Sequence, residues 1–324
     1  MASSIPLLGS LDLVCAVGVS CRLPGEVMRP DALWDILGSE YQRASSSSLP
    51  HSREFASYKP GHSIPNHKGQ WLGAAEPEAI DAFFGIRDTD AATLHPNTRL
   101  SLELTQEALE STGIPPSSLR GKNVAVIVGV SNADGRGMKR SQYTSSAPSA
   151  SHHSWATSSD PSGIAGHISY LFDFCGISST VSNVCDGGAL AIHNGVLALQ
   201  QGNADIAIIC AIATHVAPSA FASSPDANGY PPVEGAVFFI LKPLSAGRAS
   251  GDAVLGIIRG IALRHYDSTR SLNTSSVEAH IEVAERAMLN ANVDPHDIAL
   301  VEVHDAEIPP SQSECLVGPP ASKN

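Results

Sequence analysis

Residues 176–202 read GISSTVSNVCDGGALAIHNGVLALQQG, and the fold turns on how this stretch divides. Residues 180–184 (TVSNV) are short and rich in β-branched side chains, the pattern of a buried strand. They run into Cys185, then Asp186-Gly187-Gly188, then an apolar run that fits a helix of about four turns. A thiol at such a strand-to-helix elbow lies beside the unpaired N–H groups of the helix's first turn. Those groups and the helix dipole favour the thiolate, and paired glycines let a substrate approach the backbone closely. Two considerations pull the other way. Free Cys is more often a small buried apolar residue, and the Asp186 carboxylate raises the pKa of a thiol beside it. Nucleophile and core residue both stay open on the elbow alone. His193 lies eight residues past Cys185. At ~1.5 Å rise per residue it is about 12 Å along the helix, so it reads as a packed or capped histidine.

Composition narrows the function classes. A chain of 324 residues, 43% hydrophobic, can bury one large core or two modest ones. A formal charge of −12 argues against nucleic acid as a partner. No apolar run is long enough to span a bilayer, and the first residues lack the basic region of a signal peptide. The six cysteines (15, 21, 175, 185, 210 and 315) show no CxxC pair or framework spacing. A reducing, cytoplasmic setting is expected. His51, His62 and His67 fall in the polar segment 43–67 without ligand-like spacing, so this segment reads as solvated loop and no metal is expected.

Outward from the elbow, residues 13–19 read as a buried strand closed by Cys21-Arg22-Leu23-Pro24-Gly25. Asp31-Ala32-Leu33-Trp34 opens a short N-capped helix. Residues 99–112 form an amphipathic helix with Leu100, Leu104 and Ala108 on one face, stopped by Gly113 and Pro115. Strands are expected at 124–130, 205–213, 254–265 and 298–303. Ser275-Ser276-Val277-Glu278 has capping-box spacing ahead of a helix whose apolar face is Val277, Ile281, Ala284 and Met288, ending near Asn292.

The segments VCAVGVSCRLPG, DAFFGI (81–86), LHPNTR (94–99), AGHISYLFD (165–173), GYPPVEGAVFFILK (229–242) and VEVHDAEI (301–308), with the elbow, resemble β-ketoacyl synthase (ketosynthase) domains of polyketide synthases in order and spacing. The resemblance covers nearly all of residues 11–308. It implies a thiolase-like layered α/β fold, with the N-terminal half nearly complete over 11–253. A partial C-terminal half occupies 254–308, cut short, and 309–324 is a divergent tail. It also implies that Cys185 takes an acyl group from a thioester and that His304 is the first catalytic His. The family's small serines after the Cys are replaced by Asp186-Gly187-Gly188, and its Gly-Thr-Gly-Thr turn after the His by Asp305-Ala306-Glu307-Ile308. Glu234-Gly235 is kept behind the substituted Pro231-Pro232, and the loop that normally follows Phe221 is shorter.

Matched residue by residue, the family's second His, its Lys and its C-terminal loop would fall beyond Asn324, so autonomous chain extension is not expected. Asp186, Gly187, Gly188 and Glu234 are the expected substrate-binding residues at the elbow and its rim. Arg136 and Lys139, with Arg140, form a tight basic cluster in an acidic chain. They read either as solvated loop or as a seat for a phosphopantetheine arm or an acidic carrier protein. The resemblance further implies a homodimer through residues 178–184. No cofactor is expected beyond a phosphopantetheine- or coenzyme A-borne substrate. Three functions follow. The first is a Cys185–His304 enzyme acting on an acyl or polyketide-type substrate by acyl transfer, hydrolysis or non-decarboxylative condensation. The second is a non-catalytic partner of a polyketide synthase. The third is an acid–base cyclase or isomerase using His304, Asp305 or Glu307.

Overall fold

The computed structural model describes residues 12–38, 72, 77–87, 90, 94–131, 160–183, 186–214, 234–265 and 277–302. The chain divides into two compact units, one of residues 14–256 and one of residues 1–13 with 257–324. The first unit holds strands β1 (Val14–Arg22), β2 (Val124–Val130), β3 (Ser178–Ser182), β4 (Ile206–Ala213) and β5 (Gly235–Pro243). Its helices are α1 (Pro30–Gly38), α2 (Pro77–Phe84), α3 (Pro96–Thr112), α4 (Ile164–Phe172), α5 (Gly187–Gln200) and α6 (Leu244–Ser250). A three-residue strand, β6 (Gly256–Ile258), crosses the boundary between the units.

The strands lie in the order β3-β2-β4-β5-β1. β2 runs parallel to both β3 and β4, while β5 is antiparallel to β4 and β1. β2 is buried at every position and β4 at most, which suits unbroken Val/Ile runs covered on both faces. The two coverings can be told apart by alternation. A Cβ on Gly18 would fall on Thr112 and the Ala108 carbonyl of α3, and Gly18 pairs with Ile240, itself opposite Ile208. A Cβ on Gly195 of α5 would instead meet Ile209, one residue along β4 and so on the opposite face. The sheet is therefore sandwiched between α3 on one side and α5 on the other.

Charged groups bolt α3 in place. Arg22, 7% exposed at the end of β1, donates from Nη1 to Glu107 Oε2 at 2.8 Å and from Nη2 to Glu103 Oε1 at 2.7 Å. Arg99 grips Asp81 of α2 with both guanidinium arms, at 2.8 and 2.9 Å. An aromatic row continues this seam. Phe84 meets Phe172 edge to face at 5.6 Å, and Phe172 stacks on Phe174 at 5.4 Å.

Three expectations about strands need correction. The strand preceding the elbow spans Ser178–Ser182 and is not buried. Among the described residues it pairs with β2 alone, and its residues are exposed or half-buried, as at the edge of a sheet. Of residues 254–265 only Gly256–Ile258 is strand. Residues 298–302 form no strand, since they have no ladder partner among the described residues, and Val303 lies outside those residues.

In the second unit the helix expected near 277–292 is present as α7 (Val277–Ala291). Arg259 reaches the carbonyls of Ala291 and Asn292 at 3.2 and 3.4 Å, a cation on the helix C-terminus. Asn290 Nδ2 donates to Ile261 O at 3.0 Å, so the segment after β6 packs on the last turn of α7. Ile281, Leu289, Ile298, Leu300 and Val301 stay exposed. The capping-box serines Ser275 and Ser276 lie outside the described residues.

Candidate functional site

β2, β3 and β4 all end at one edge of the sheet, at Val130, Ser182 and Ala213. β3 and β4 flank β2 on opposite sides, and the carboxyl ends around such a divergence form the usual ligand crevice of an open α/β sheet. The elbow arrives here. Asp186 is the N-cap position of α5, with its backbone O accepting from Leu190 N–H at 2.9 Å; its exposed side chain makes no capping hydrogen bond. The first turn of α5 thus presents its N–H groups at the same edge.

The paired glycines meet protein. A Cβ on Gly187 would lie 3.1 Å from Val130 O, and one on Gly188 would lie 2.9 Å from Ala211 Cβ. Gly129 completes the contact, because its own Cβ would fall on the Gly187 carbonyl. These three glycines let the start of α5 lie directly on the ends of β2 and β4.

Glu234 stands at the same edge. It precedes Gly235, the partner of Ala213 at the end of β4. Its carboxylate is buried, 1% exposed, and Oε2 accepts from Leu72 N–H at 2.9 Å. It acts there as a backbone anchor at the rim. His193 is half-buried within α5, with Nδ1 3.5 Å from Asn194 Oδ1. Cys185, His304, Asp305, Glu307, Arg136, Lys139 and Arg140 lie outside the described residues, as do His51, His62 and His67.

Some residues at this edge escape a reading of the sequence alone. Asn97 Oδ1 accepts from Thr214 Oγ1, tying α3 to the residue after β4. His95 caps α3, Nδ1 accepting from Asn97 N–H at 3.1 Å, and Asp160 caps the turn Pro161–Gly163 through Ser162 N–H at 2.8 Å. The detectable signal is a polar residue ahead of Pro96, since proline at the first helical position marks the cap before it. Burial pushes the Cys210 thiol well up, and burial likewise raises Cys21 against the pull of Arg22. Neither is a candidate nucleophile. Cys175 is exposed. Among the described residues no cluster of His, Cys, Asp or Glu could hold a metal ion, and no helix is long and apolar enough to cross a membrane.

The family model for the β-ketoacyl synthase N-terminal domain matches residues 12–247, and that for the C-terminal domain matches residues 255–309. The chain belongs to the β-ketoacyl synthase family. That family consists of condensing transferases. The chain is 31% identical over 94% of its length to the polyketide synthase GfsA of Streptomyces halstedii, covering 4% of that protein. It is 32% identical over 93% of its length to the 6-methylsalicylic acid synthase of Aspergillus terreus, covering 18% of it. It thus spans a small part of these curated relatives. Among solved structures, the ketosynthase domain KS7 of OzmH from Streptomyces albus JA3453 superposes with a TM-score of 0.72 at 22% identity, covering 89% of this chain and 53% of that one. The module 6 ketosynthase of the bacillaene synthase of Bacillus subtilis 168 gives 0.69 at 21% identity, covering 89% and 49%. These likenesses establish the thiolase-like α/β fold.

Proposed function

We propose that the chain is a ketosynthase-type acyl-transfer unit of polyketide biosynthesis, with Cys185 as nucleophile and His304 as its base. The thiolate adds to the carbonyl of an acyl thioester borne on phosphopantetheine or coenzyme A, forming a new C–S bond. The tetrahedral oxyanion collapses, the C–S bond to the carrier breaks, and the departing thiol takes the proton held by the imidazole. The acyl group then passes to an acceptor nucleophile or to water. One observation carries this reading: in a chain of this family, the elbow brings the first turn of α5 to the edge where β2, β3 and β4 end. Helix N–H groups there favour both the thiolate and the oxyanion. Decarboxylative extension is not part of the proposal. It requires an enolate to develop near the base, and Asp305 and Glu307 put carboxylates beside His304 in sequence, where their charge opposes one.

The accompanying assembly is a homodimer through the open edge of β3, with Arg136 and Lys139 receiving the phosphate or carrier acids of the incoming substrate. A reducing, cytoplasmic compartment keeps the thiol available. The acid–base reading draws on the same substitutions at Asp305 and Glu307, and a non-catalytic partner role draws on the open β3 edge.

Single-turnover transfer from a short acyl thioester distinguishes these readings. Cys185→Ala is expected to abolish transfer, and His304→Ala to slow it by roughly 10²–10⁴-fold, the worth of a positioned base. Undiminished turnover by Cys185→Ala, with loss at Asp305→Asn or Glu307→Gln, would transfer the chemistry to the carboxylates.

A further inference from the structure

We propose that His95 is a proton-operated latch: its neutral imidazole holds the N-terminus of α3 against the end of β4, and proton uptake by the ring releases it. The hydrogen-bond geometry carries the argument. Asn97 N–H donates to His95 Nδ1 at 3.1 Å, so Nδ1 bears a lone pair and the ring proton sits on Nε2. An imidazolium has two N–H donors and no acceptor, so this contact cannot survive protonation. The His95 backbone O accepts from Thr98 N–H at 2.8 Å, which makes one residue the anchor of the whole first turn. The residue it orients is Asn97, whose Oδ1 accepts from Thr214 Oγ1 at the carboxyl end of β4. Release of the cap therefore loosens one wall of the candidate site.

The surroundings keep the ring neutral. His95 is 3% exposed, and burial pushes its pKa down to about 4, with the Asp160 carboxylate pulling weakly the other way. Asp160 is the charged neighbour from the turn Pro161–Gly163, and its own carboxylate is held by Ser162. Arg99 on α3 approaches the Leu94 carbonyl at 3.5 Å, but its guanidinium is taken by Asp81 of α2. His167 of α4 has Nδ1 against Gly163 O at 2.7 Å, and Glu234, at the start of β5, receives Leu72 N–H.

The direction of the effect follows. The native ring titrates below its ordinary value of 6.5, so the native state binds fewer protons than the unfolded chain. Stability is fully present above pH 6.5 and is lost as pH falls towards 4. The gap corresponds to roughly a 300-fold change in the folding equilibrium in all, about 80-fold of it between pH 6.5 and pH 4.

The test uses denaturant unfolding of the full chain and of His95→Asn between pH 8 and pH 4. Asparagine accepts from Asn97 N–H without titrating. The expected result is that wild type loses roughly 60-fold in folding equilibrium relative to His95→Asn between pH 7 and pH 4.5. Hydrogen exchange of residues 97–101, corrected for the intrinsic pH dependence, should rise over the same window in wild type alone. Parallel pH profiles for the two proteins would overturn the latch, as would unchanged protection at 97–101 while stability falls. Should His95→Asn fail to fold, the NMR titration of His95 in wild type decides: a ring titrating near 6.5 overturns the proposal, and one below 5 supports it. Neither arm involves Cys185, so the result stands apart from that of the acyl-transfer reading.

Discussion

At Thr105 the buried side of α3 carries a hydroxyl with no hydrogen-bond partner among the described residues. An orphaned hydroxyl in the interior costs about 1–3 kcal/mol, and valine has nearly its shape. Thr105→Val should therefore raise the urea midpoint, by about 1 kcal/mol of stability; a lower midpoint would mean that the hydroxyl is satisfied in solution. Gly129 works in the opposite sense. Its missing Cβ is where the Gly187 carbonyl lies, and backbone cannot yield as a side chain can. Gly129→Ala should cost about 3 kcal/mol and displace the elbow, seen as a lower midpoint together with altered alkylation of Cys185. Unchanged stability would contradict the packing described for the start of α5. Asp186 is exposed and makes no capping hydrogen bond, so no contact with the helix N–H groups offsets the charge it carries next to Cys185 in sequence. Asp186→Ser should lower the Cys185 thiol pKa and speed its alkylation by iodoacetamide near pH 7, read on the Cys185 peptide by mass spectrometry. Equal rates would show that the carboxylate and thiol do not sense each other. The sequence makes the elbow visible, because strand-like and helix-like runs meet at Cys185. It does not reveal why the glycines are there, since the reason sits some 60 residues away at Gly129 and Val130, as close approach between backbones.

Elements divide by how much of their character is local. β2, β4, α3 and α5 are legible from apolar runs and helix periodicity, since each is buried by neighbours on both faces or along one stripe. β3 is not legible as an edge: its residues alone do not say that it pairs with one strand. Residues 298–302 fail as a strand for a related reason, since they have no ladder partner among the described residues. The open β3 edge leads to an expectation of its own. Light scattering should give twice the chain mass, with backbone pairing of β3 to its copy, because an edge strand with no second partner among the described residues is a ready template. A monomer at all concentrations would remove the dimer from the account. At the other margin, Arg22 binds β1 to α3 through Glu103 and Glu107 and also donates to the carbonyls of Cys21 and Met28. Arg22→Met leaves two half-buried carboxylates facing each other and should cost about 2 kcal/mol in the unfolding midpoint. A neutral outcome would make this network ornamental to the fold.

The whole molecule joins one well-packed unit, residues 14–256, to a second whose apolar residues Leu289, Leu300 and Val301 face outward. Among the described residues the first unit holds three strand ends, the first turn of α5, the Asn97–Thr214 tie and the Glu234 anchor. Family membership extends through residue 309 and so reaches His304. In the proposed function this frame activates Cys185 towards thioesters. Its most direct test is the intact mass of the purified chain after incubation with an acyl-coenzyme A. A single added acyl mass is expected that maps to the Cys185 peptide and is absent from Cys185→Ala, with unchanged unfolding of the variant. No adduct on folded wild type, or the same adduct on Cys185→Ala, would contradict it.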